Sequence, residues 1–261
     1  MNTKVIWITG ASSGIGEALA YAYSNAGAKL ILSSRNRDEL YRVKSRCKNQ
    51  INVHILSFDL EQTDTLREKA AAALKIFGKV DVLINCGGIS QRSLALDTQD
   101  EVEHKLMNIN FWGTVTLSKA VLPSMIQNGG GQIVCISSLT GKFGTRLRST
   151  YAASKHALHG YFDSLRAEVY DKNISITIVC PGFVKTQVTL NAMTANGAPL
   201  GAMGEAHENS MSVDECAKEI VKAIKDKREE IYIGGKEVKG VLFKRFLPLQ
   251  FSKFMRKAKV T

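Results

Sequence analysis

Short apolar runs alternate with amphipathic stretches along most of the chain. Lys4–Thr9, Lys29–Ser34, Asn52–Phe58, Val80–Asn85, Gly131–Ser138, Ser175–Cys180 and Glu230–Ile233 are rich in Val and Ile. Runs of this kind, bounded by turn residues, read as strands buried on both faces. Between them, positions 15–27, 37–48, 62–77, 99–127, 151–171 and 213–227 carry apolar residues at helical spacing. Strand followed by helix, repeated, predicts βαβ units. The expected architecture is one α/β domain, a doubly wound parallel sheet of about seven strands with helices on both faces.

Two segments break this rhythm. Residues 187–212, including "NAMTANGAPLGAMG", have few periodic apolar positions. An insertion of this length after a strand end predicts a substrate lid. Residues 236–261 form a basic amphipathic tail with eight Lys/Arg against one acid, Glu237. Pro248 divides it, so two short amphipathic pieces are expected, packed on the protein or lying on an anionic membrane surface.

With 261 residues, 44% hydrophobic and 23% charged, the chain can bury a sizeable core. The net charge of +11 favours anionic partners, but no nucleic-acid motif accompanies it. Five cysteines lie scattered, without CxxC spacing, which argues against a disulfide framework and fits a reducing cytosol. His156 and His159 stand at i and i+3, but no third ligand type gathers near them, so no metal is expected. No run of eighteen apolar residues occurs, and Val5–Ile8 is too short for a signal segment. A cytoplasmic protein is expected, at most peripheral on a membrane.

The chemistry begins at "WITGASSGIGEALAYAYSNAG", which joins the first strand to the first helix. Gly10, Gly14 and Gly16 allow a tight turn and close approach of backbone to a pyrophosphate. The helix N-terminus then offers free N–H groups and the positive end of its dipole. This is the phosphate cradle of a Rossmann-like dinucleotide fold. After the second strand, where an NAD-preferring fold places an acid, the chain reads Ser34, Arg35, with Arg37 nearby. An acid would repel a 2′-phosphate and an arginine attracts it, so NADP(H) is favoured over NAD(H).

In "STYAASKHAL", Tyr151 precedes Lys155 by one helical turn with only small residues between. Positions i and i+4 share a face, so both side chains can enter one pocket. A fixed ammonium favours the phenolate and brings the tyrosine towards the working range of an acid–base group. Ser138, thirteen residues earlier at a strand end, can bond a substrate carbonyl oxygen where charge develops.

The TGxxxGxG spacing, the YxxxK motif, "NINFWG" and "CPGFVKT" together resemble the short-chain dehydrogenase/reductase family over nearly the whole chain. "GGISQRSLALDT" and "ASKHALHGYFDSLRAE" look like its member-7 dehydrogenase/reductases and their steroid- and retinoid-reducing neighbours. The resemblance implies a catalytic set of Asn110, Ser138, Tyr151 and Lys155, with Asn110 holding a proton-relay water and Lys155 gripping the nicotinamide ribose. It assigns to the cofactor Gly10, Ser12, Ser13, Gly14, Ile15 and Gly16 in the cradle, then Ser34, Arg35 and Asn36. Asp59 and Leu60 follow the third strand and Asn85 and Gly87 the fourth; Tyr151, Lys155, Pro181, Gly182, Val184 and Thr186 complete the set. The family's NNAG reads "NCGG" here, Asn85 to Gly88, so one side-chain contact of that turn is lost.

The resemblance implies a homodimer or homotetramer and hydride transfer between nicotinamide and a carbonyl or secondary alcohol of a hydrophobic substrate. Membrane-anchored relatives begin with an extra segment, whereas this chain starts at its first strand, so their microsomal location is not expected here. Two alternatives stand beside this reading. Arg146 and Arg148 could serve a 3-oxoacyl-thioester reductase by meeting an acidic carrier, or be solvated loop residues. A non-catalytic NADP sensor is the other; such proteins often lack the Tyr or Lys that this chain keeps.

Overall fold

The computed structural model describes residues 3–188, 190–201 and 210–258. Seven strands form one sheet in the order β3-β2-β1-β4-β5-β6-β7. They are β1 (Val5–Thr9), β2 (Lys29–Ser33), β3 (Val53–Ile55), β4 (Val82–Asn85), β5 (Gly131–Ile136), β6 (Ile174–Pro181) and β7 (Glu230–Ile233). Every pairing is parallel. The order reverses between β1 and β4, which opens a crevice at the strands' carboxyl ends.

Alternation along β1 shows why helices cover both faces. Val5 and Trp7 enter one core layer; Ile6 and Ile8 enter the other. The first layer receives Leu66 of α3 (Leu66–Phe77), Leu117 of α5 (Gly113–Gln127) and Phe162 of α6 (Ser149–Glu168). The second receives Leu19 of α1 (Gly14–Asn25), Leu40 of α2 (Arg37–Arg46) and Ile220 of α7 (Val213–Lys225). Side chains emptied of water on both sides of a sheet supply most of the driving force for such a fold. Trp7 carries the one polar atom of its ring into this core and satisfies it by donating to Ser33 Oγ at 2.9 Å.

The structure differs from expectation in places that have physical causes. The expected helix over 99–127 is two, α4 (Asp100–Met107) and α5, joined by a π-turn at Asn108–Trp112. Inside this wider turn, Asn110 is pulled to the backbone of Ile89, accepting from its N–H at 2.8 Å and donating to its C=O at 2.9 Å. Gly113 follows because a Cβ there would lie 2.9 Å from Leu60 O. The third strand is shorter than expected, but Leu56 and Phe58 still donate to Leu32 and Ser34 of its neighbour. After β7, α8 (Lys239–Phe246) and α9 (Pro248–Met255) meet at Pro248, which opens α9 where its missing N–H costs nothing. Phe243 and Phe251 pack on each other at 5.4 Å between centroids, and Phe251 packs on Phe143 at 5.3 Å. Among the described residues no helix is long and apolar enough to cross a membrane.

Candidate active site

One cleft of about 1270 Å³ opens at the carboxyl ends of the strands, over the β1/β4 switch point. At one end lies the turn between β1 and α1. Gly10 has φ 63° and a Cβ there would sit 2.7 Å from Gly87 Cα; at Gly16 it would sit 2.3 Å from Gly10 O. Side chains at either place would close the cradle. Ser13 stands at the N-cap of α1 without a side-chain cap bond. The first N–H groups of that helix are therefore left for an anion in the cleft. These features fit a bound pyrophosphate.

Ser12, Ser13, Gly14 and Ile15 line this end with Gly10 and Gly16; Ser34, Arg35, Asn36, Asp59 and Leu60 continue it. Arg35 lies 3.8 Å from Asp59 and is more than half exposed at the rim. Asn36 has a local duty as well, accepting from Glu39 N–H at 3.1 Å as the N-cap of α2. Arg37 stacks on Tyr41 instead of joining the rim. Glu39, an acid that the sequence pattern did not single out, does line the cleft, but Arg42 holds it at 2.6 Å.

The turn after β4 answers the "NCGG" departure. Thr9 Oγ1 accepts from the N–H groups of both Cys86 and Gly87, each at 3.1 Å. The turn is therefore fastened to β1 without a second asparagine. Burial pushes the Cys86 thiol up to about 12, so it stays a neutral thiol at neutral pH. Gly87 lines the cleft, where a Cβ would meet Leu60 at 2.5 Å. Asn85 does not share it. Its side chain donates to Ser118 Oγ at 3.1 Å, beneath the cleft. Strand alternation is the cause: Asn85 lies two residues after Leu83 and points to the same α5 side.

The other end gathers the reactive groups. Ser138, Tyr151 and Lys155 line the same cleft, with Pro181, Gly182, Val184 and Thr186 from the end of β6. Ser138 accepts from Thr140 N–H at 3.2 Å and lies 3.5 Å from Pro181 O. The Lys155 ammonium sits 5.8 Å from the Tyr151 ring centre and donates to Ile136 O at 2.9 Å. Lys155 is nearly buried, and among the described residues this carbonyl is the one hydrogen-bond partner of its ammonium. A buried ammonium so sparsely bonded stabilises negative charge placed beside it. Asn110 does not line the cleft. It is fully buried behind Gly88, where a Cβ would lie 3.0 Å from Asn110 Oδ1 and 3.6 Å from Lys155 Nζ. It fixes the Ile89 backbone and donates to Ser154 Oγ on the Tyr151 helix at 3.0 Å.

Gln91 is a positioning residue that sequence reading passed over. It is fully buried, and its carboxamide oxygen accepts from Thr150 N–H at 3.1 Å and Tyr151 N–H at 3.2 Å. It thus caps the helix that carries Tyr151. His156 and His159 do not converge: His156 bonds Ala152 O, whereas His159 lies against Cys180 and Glu230. Lys142 also holds Glu230 at 2.7 Å. Burial would raise the Glu230 carboxyl, but hydrogen bonds from His159, Lys142 and Tyr232 outweigh it and hold it down at about 2. Arg148, expected as either a carrier contact or a solvated residue, is nearly buried and lines the cleft. Of the segment expected as a lid, residues 189 and 202–209 lie outside the described residues; Met193 bridges to Gln91 and Val184 to Met211.

A doubly wound parallel sheet with an open glycine cradle at its switch point defines a nucleotide-binding α/β protein. The short chain dehydrogenase family matches residues 4–196. Curated relatives include a dehydrogenase/reductase SDR family protein 7-like of Anopheles gambiae, 43% identical over 242 residues, covering 89% of this chain and 75% of that protein. A dehydrogenase/reductase SDR family member 7B of Danio rerio is 40% identical over 239 residues, covering 89% and 77%. Among solved structures, a short-chain dehydrogenase from Streptomyces avermitilis shares the fold with a TM-score of 0.82, at 24% identity over 98% of this chain and 97% of that one. An alcohol dehydrogenase from Thermococcus sibiricus, complexed with 5-hydroxy-NADP, gives 0.76 at 25% identity, covering 90% and 97%. The chain belongs to the short-chain dehydrogenase/reductase family, whose members are oxidoreductases that bind a nicotinamide cofactor.

Proposed function

We propose that the chain is an NADP(H)-dependent oxidoreductase acting on a carbonyl or secondary alcohol of a largely apolar substrate, with Tyr151 as its acid–base group. The observation that carries this reading is one cleft lined by the glycine cradle, Ser138, Tyr151 and Lys155 together. A bound nicotinamide supplies or accepts hydride at the substrate carbon. Ser138 bonds the substrate oxygen, where negative charge develops. Tyr151 donates its proton to that oxygen on reduction and takes it back on oxidation. Lys155 stabilises the phenolate so formed, and Asn110 fixes the backbone and helix around both. Phe143, Phe243 and Phe251 line the cleft as an apolar receiving wall. NADPH oxidation against ketosteroids, retinal, quinones, dicarbonyls and acetoacetyl thioesters tests the reading; tight cofactor binding with no turnover of any of them would replace it with a sensor.

Arg35 at the rim, beside Ser34, supports NADP(H) as the cofactor, as does the 5-hydroxy-NADP held by the Thermococcus relative. A charge-assisted contact is worth roughly 1.5–3 kcal/mol, so NADPH should bind about tenfold or more tighter than NADH. Arg35→Ala should remove most of that preference and leave NADH affinity unchanged. Titrating both cofactors into both proteins checks this, and equal affinities in the wild type would refute it.

We further infer a homodimer. A shallow groove between α5 and α6 is lined by Leu122, Pro123, Ile126, Tyr161 and Leu165, with Lys119 and Glu168 also on it. Across a two-fold axis, Lys119 of one copy can meet Glu168 of the other, which suits a second copy as occupant. The ring ladder Tyr161–Phe111–Trp112 leads from it to the half-exposed Trp112. Ile126→Glu should convert a particle of twice the chain mass into monomers without loss of thermal stability. Sedimentation equilibrium at micromolar concentration decides it, and a monomeric wild type sinks the idea.

A further inference from the structure

Behind the reacting groups, four polar side chains meet that the proposed hydride-transfer chemistry does not use. Glu230 opens β7 and Tyr232 stands two residues along it. Lys142 follows the turn that begins at Ser138, and His159 lies on α6 one helical turn beyond Lys155. None of the four lines the cleft. Glu230 Oε2 receives the Lys142 ammonium at 2.7 Å and faces His159 Nδ1 at 3.2 Å, while Tyr232 donates to Oε1. Both carboxylate oxygens are therefore engaged, which holds the group in one orientation.

The other ring nitrogen of His159 reaches the Ser138 turn. Nε2 lies 3.1 Å from Ser137 Oγ, and that hydroxyl donates to Lys155 O at 3.3 Å. Ser137 thus ties the residue beside Ser138 to the backbone of the helix that carries Tyr151 and Lys155. Gly141 closes over the pair: a Cβ there would lie 2.5 Å from Ser137 Oγ and 2.9 Å from His159 Nε2. The turn Leu139–Gly141 therefore rests directly on Ser137 and His159. Lys142, the next residue, is drawn to Glu230, and its carbonyl accepts from Lys244 Nζ of α8 at 3.0 Å. Ser138 is the N-cap of this turn, and its hydroxyl is oriented by Thr140 N–H. One carboxylate on β7 thereby reaches both elements that supply reacting side chains, the serine turn through Lys142 and α6 through His159. Groups that must meet one reacting oxygen need such support, since a displacement of about 1 Å can cost on the order of 10²-fold in rate.

We propose that Glu230 is a positioning residue of the reaction: with Lys142 and His159 it fixes the Ser138 turn against the Tyr151 helix, so that both hydroxyls bond the same substrate oxygen. The proposal rests on the reductase reading for the reaction, but the fixing of the turn belongs to the protein alone and can be measured without a substrate. Glu230 touches neither substrate nor cofactor. It acts on the serine turn, so its effect on turnover depends on the Ser138 hydroxyl being there. The cradle at Gly10 and Gly16 lies at the other end of the cleft, so cofactor affinity does not respond.

Glu230→Gln keeps the size of the side chain and an acceptor oxygen and removes the charge that holds Lys142. Hydrogen exchange of the full chain should quicken about tenfold or more over residues 138–142 in this variant and stay within about twofold in β1 and α1. With the best substrate of the carbonyl panel, kcat should fall about tenfold or more while NADPH affinity is unchanged. In a Ser138→Ala background the same change should cost less than about twofold, whereas a general loosening would cost both backgrounds alike. Lys142 is partly exposed, so Lys142→Met gives the same readings without disturbing the buried groups, and Lys142→Arg should restore most of the loss because the charge stays. Equal losses with and without the Ser138 hydroxyl, or unaltered exchange over 138–142 in both Glu230→Gln and Lys142→Met, overturns the positioning role. Quickened exchange confined to the turn, in a protein whose wild type reduces no ketone, overturns the reductase reading and leaves the hold on the turn standing. Turnover of ketones with exchange unaltered in both variants does the reverse.

Discussion

Tyr151→Phe should bind NADPH as the wild type does and lose at least ~10²-fold in turnover of a good carbonyl substrate. The substitution keeps the ring and removes only the hydroxyl. The Tyr151 helix is capped through its backbone by Gln91, and Lys155 is held by Ile136 O, so neither anchor depends on the lost oxygen. The cradle at Gly10 and Gly16 lies at the other end of the cleft, which is why cofactor affinity should not move. What disappears is the proton donor to the alkoxide. Ser138 still offers a hydrogen bond to that oxygen, so the variant should retain measurable residual activity instead of none. Single-turnover kinetics with NADPH would show the loss in the chemical step. A Phe variant that reduces the substrate at near wild-type rate would remove Tyr151 from its assigned role.

The parts of this molecule that follow from local rules were legible in the sequence. Val- and Ile-rich runs announced the strands because strands covered on both faces must be apolar throughout. Tyr151 and Lys155 could be placed on one face from their spacing alone. Other parts depend on neighbours that spacing does not reveal. The π-turn that brings Asn110 to Ile89 leaves no residue-type signature, since one extra residue in a helical turn hardly alters the apolar pattern. The core bond of the Asn85 side chain was not legible, because the side of the sheet it meets depends on its parity with Leu83, and one step along β4 reverses the answer. Gln91 carries no motif; its function lies in two N–H groups some sixty positions away in sequence. Arg148 reads as a loop cation until the left-handed Leu147 and its bond to Ser93 N–H place it in the cleft wall. The tail declared its amphipathicity but not its two surfaces, because only packing separates the rings that meet Phe143 from those that do not.

That separation predicts opposite outcomes for neighbouring substitutions in the tail. Phe251 is 6% exposed and stacks between Phe143 and Phe243, so Phe251→Ala should cost about 3–5 kcal/mol of stability. In a chain of this size that is a fall in Tm on the order of 10 °C. On the outer surface, Phe246 is 71% and Leu249 75% exposed, with Leu242 and Phe254 also more than half exposed. Arg245, Lys253, Arg256 and Lys257 interleave with them. We propose that this surface lies on anionic lipid, the apolar side chains entering the headgroup boundary and the cations meeting phosphates. Changing Phe246 and Leu249 together to Ser should leave Tm within about 2 °C, because neither side chain is buried in the free protein. The same change should weaken binding to phosphatidylserine vesicles by roughly 10²-fold or more, at about 1.5–3 kcal/mol for each apolar side chain withdrawn from the interface. Raised salt should weaken the wild type's binding too, by screening the basic residues. Co-sedimentation with vesicles and a thermal melt on both variants separate the two surfaces. A wild-type chain that ignores anionic vesicles, or a Phe246/Leu249 double variant that unfolds early, would make the whole tail a packing element. Phe254 and Met255 line the cleft from α9, and Phe254 is also exposed on the outer surface. A tail docked on lipid would therefore set the cleft beside the bilayer, where an apolar carbonyl compound is concentrated, and turnover of such a substrate in vesicles should fall together with vesicle binding in the double variant.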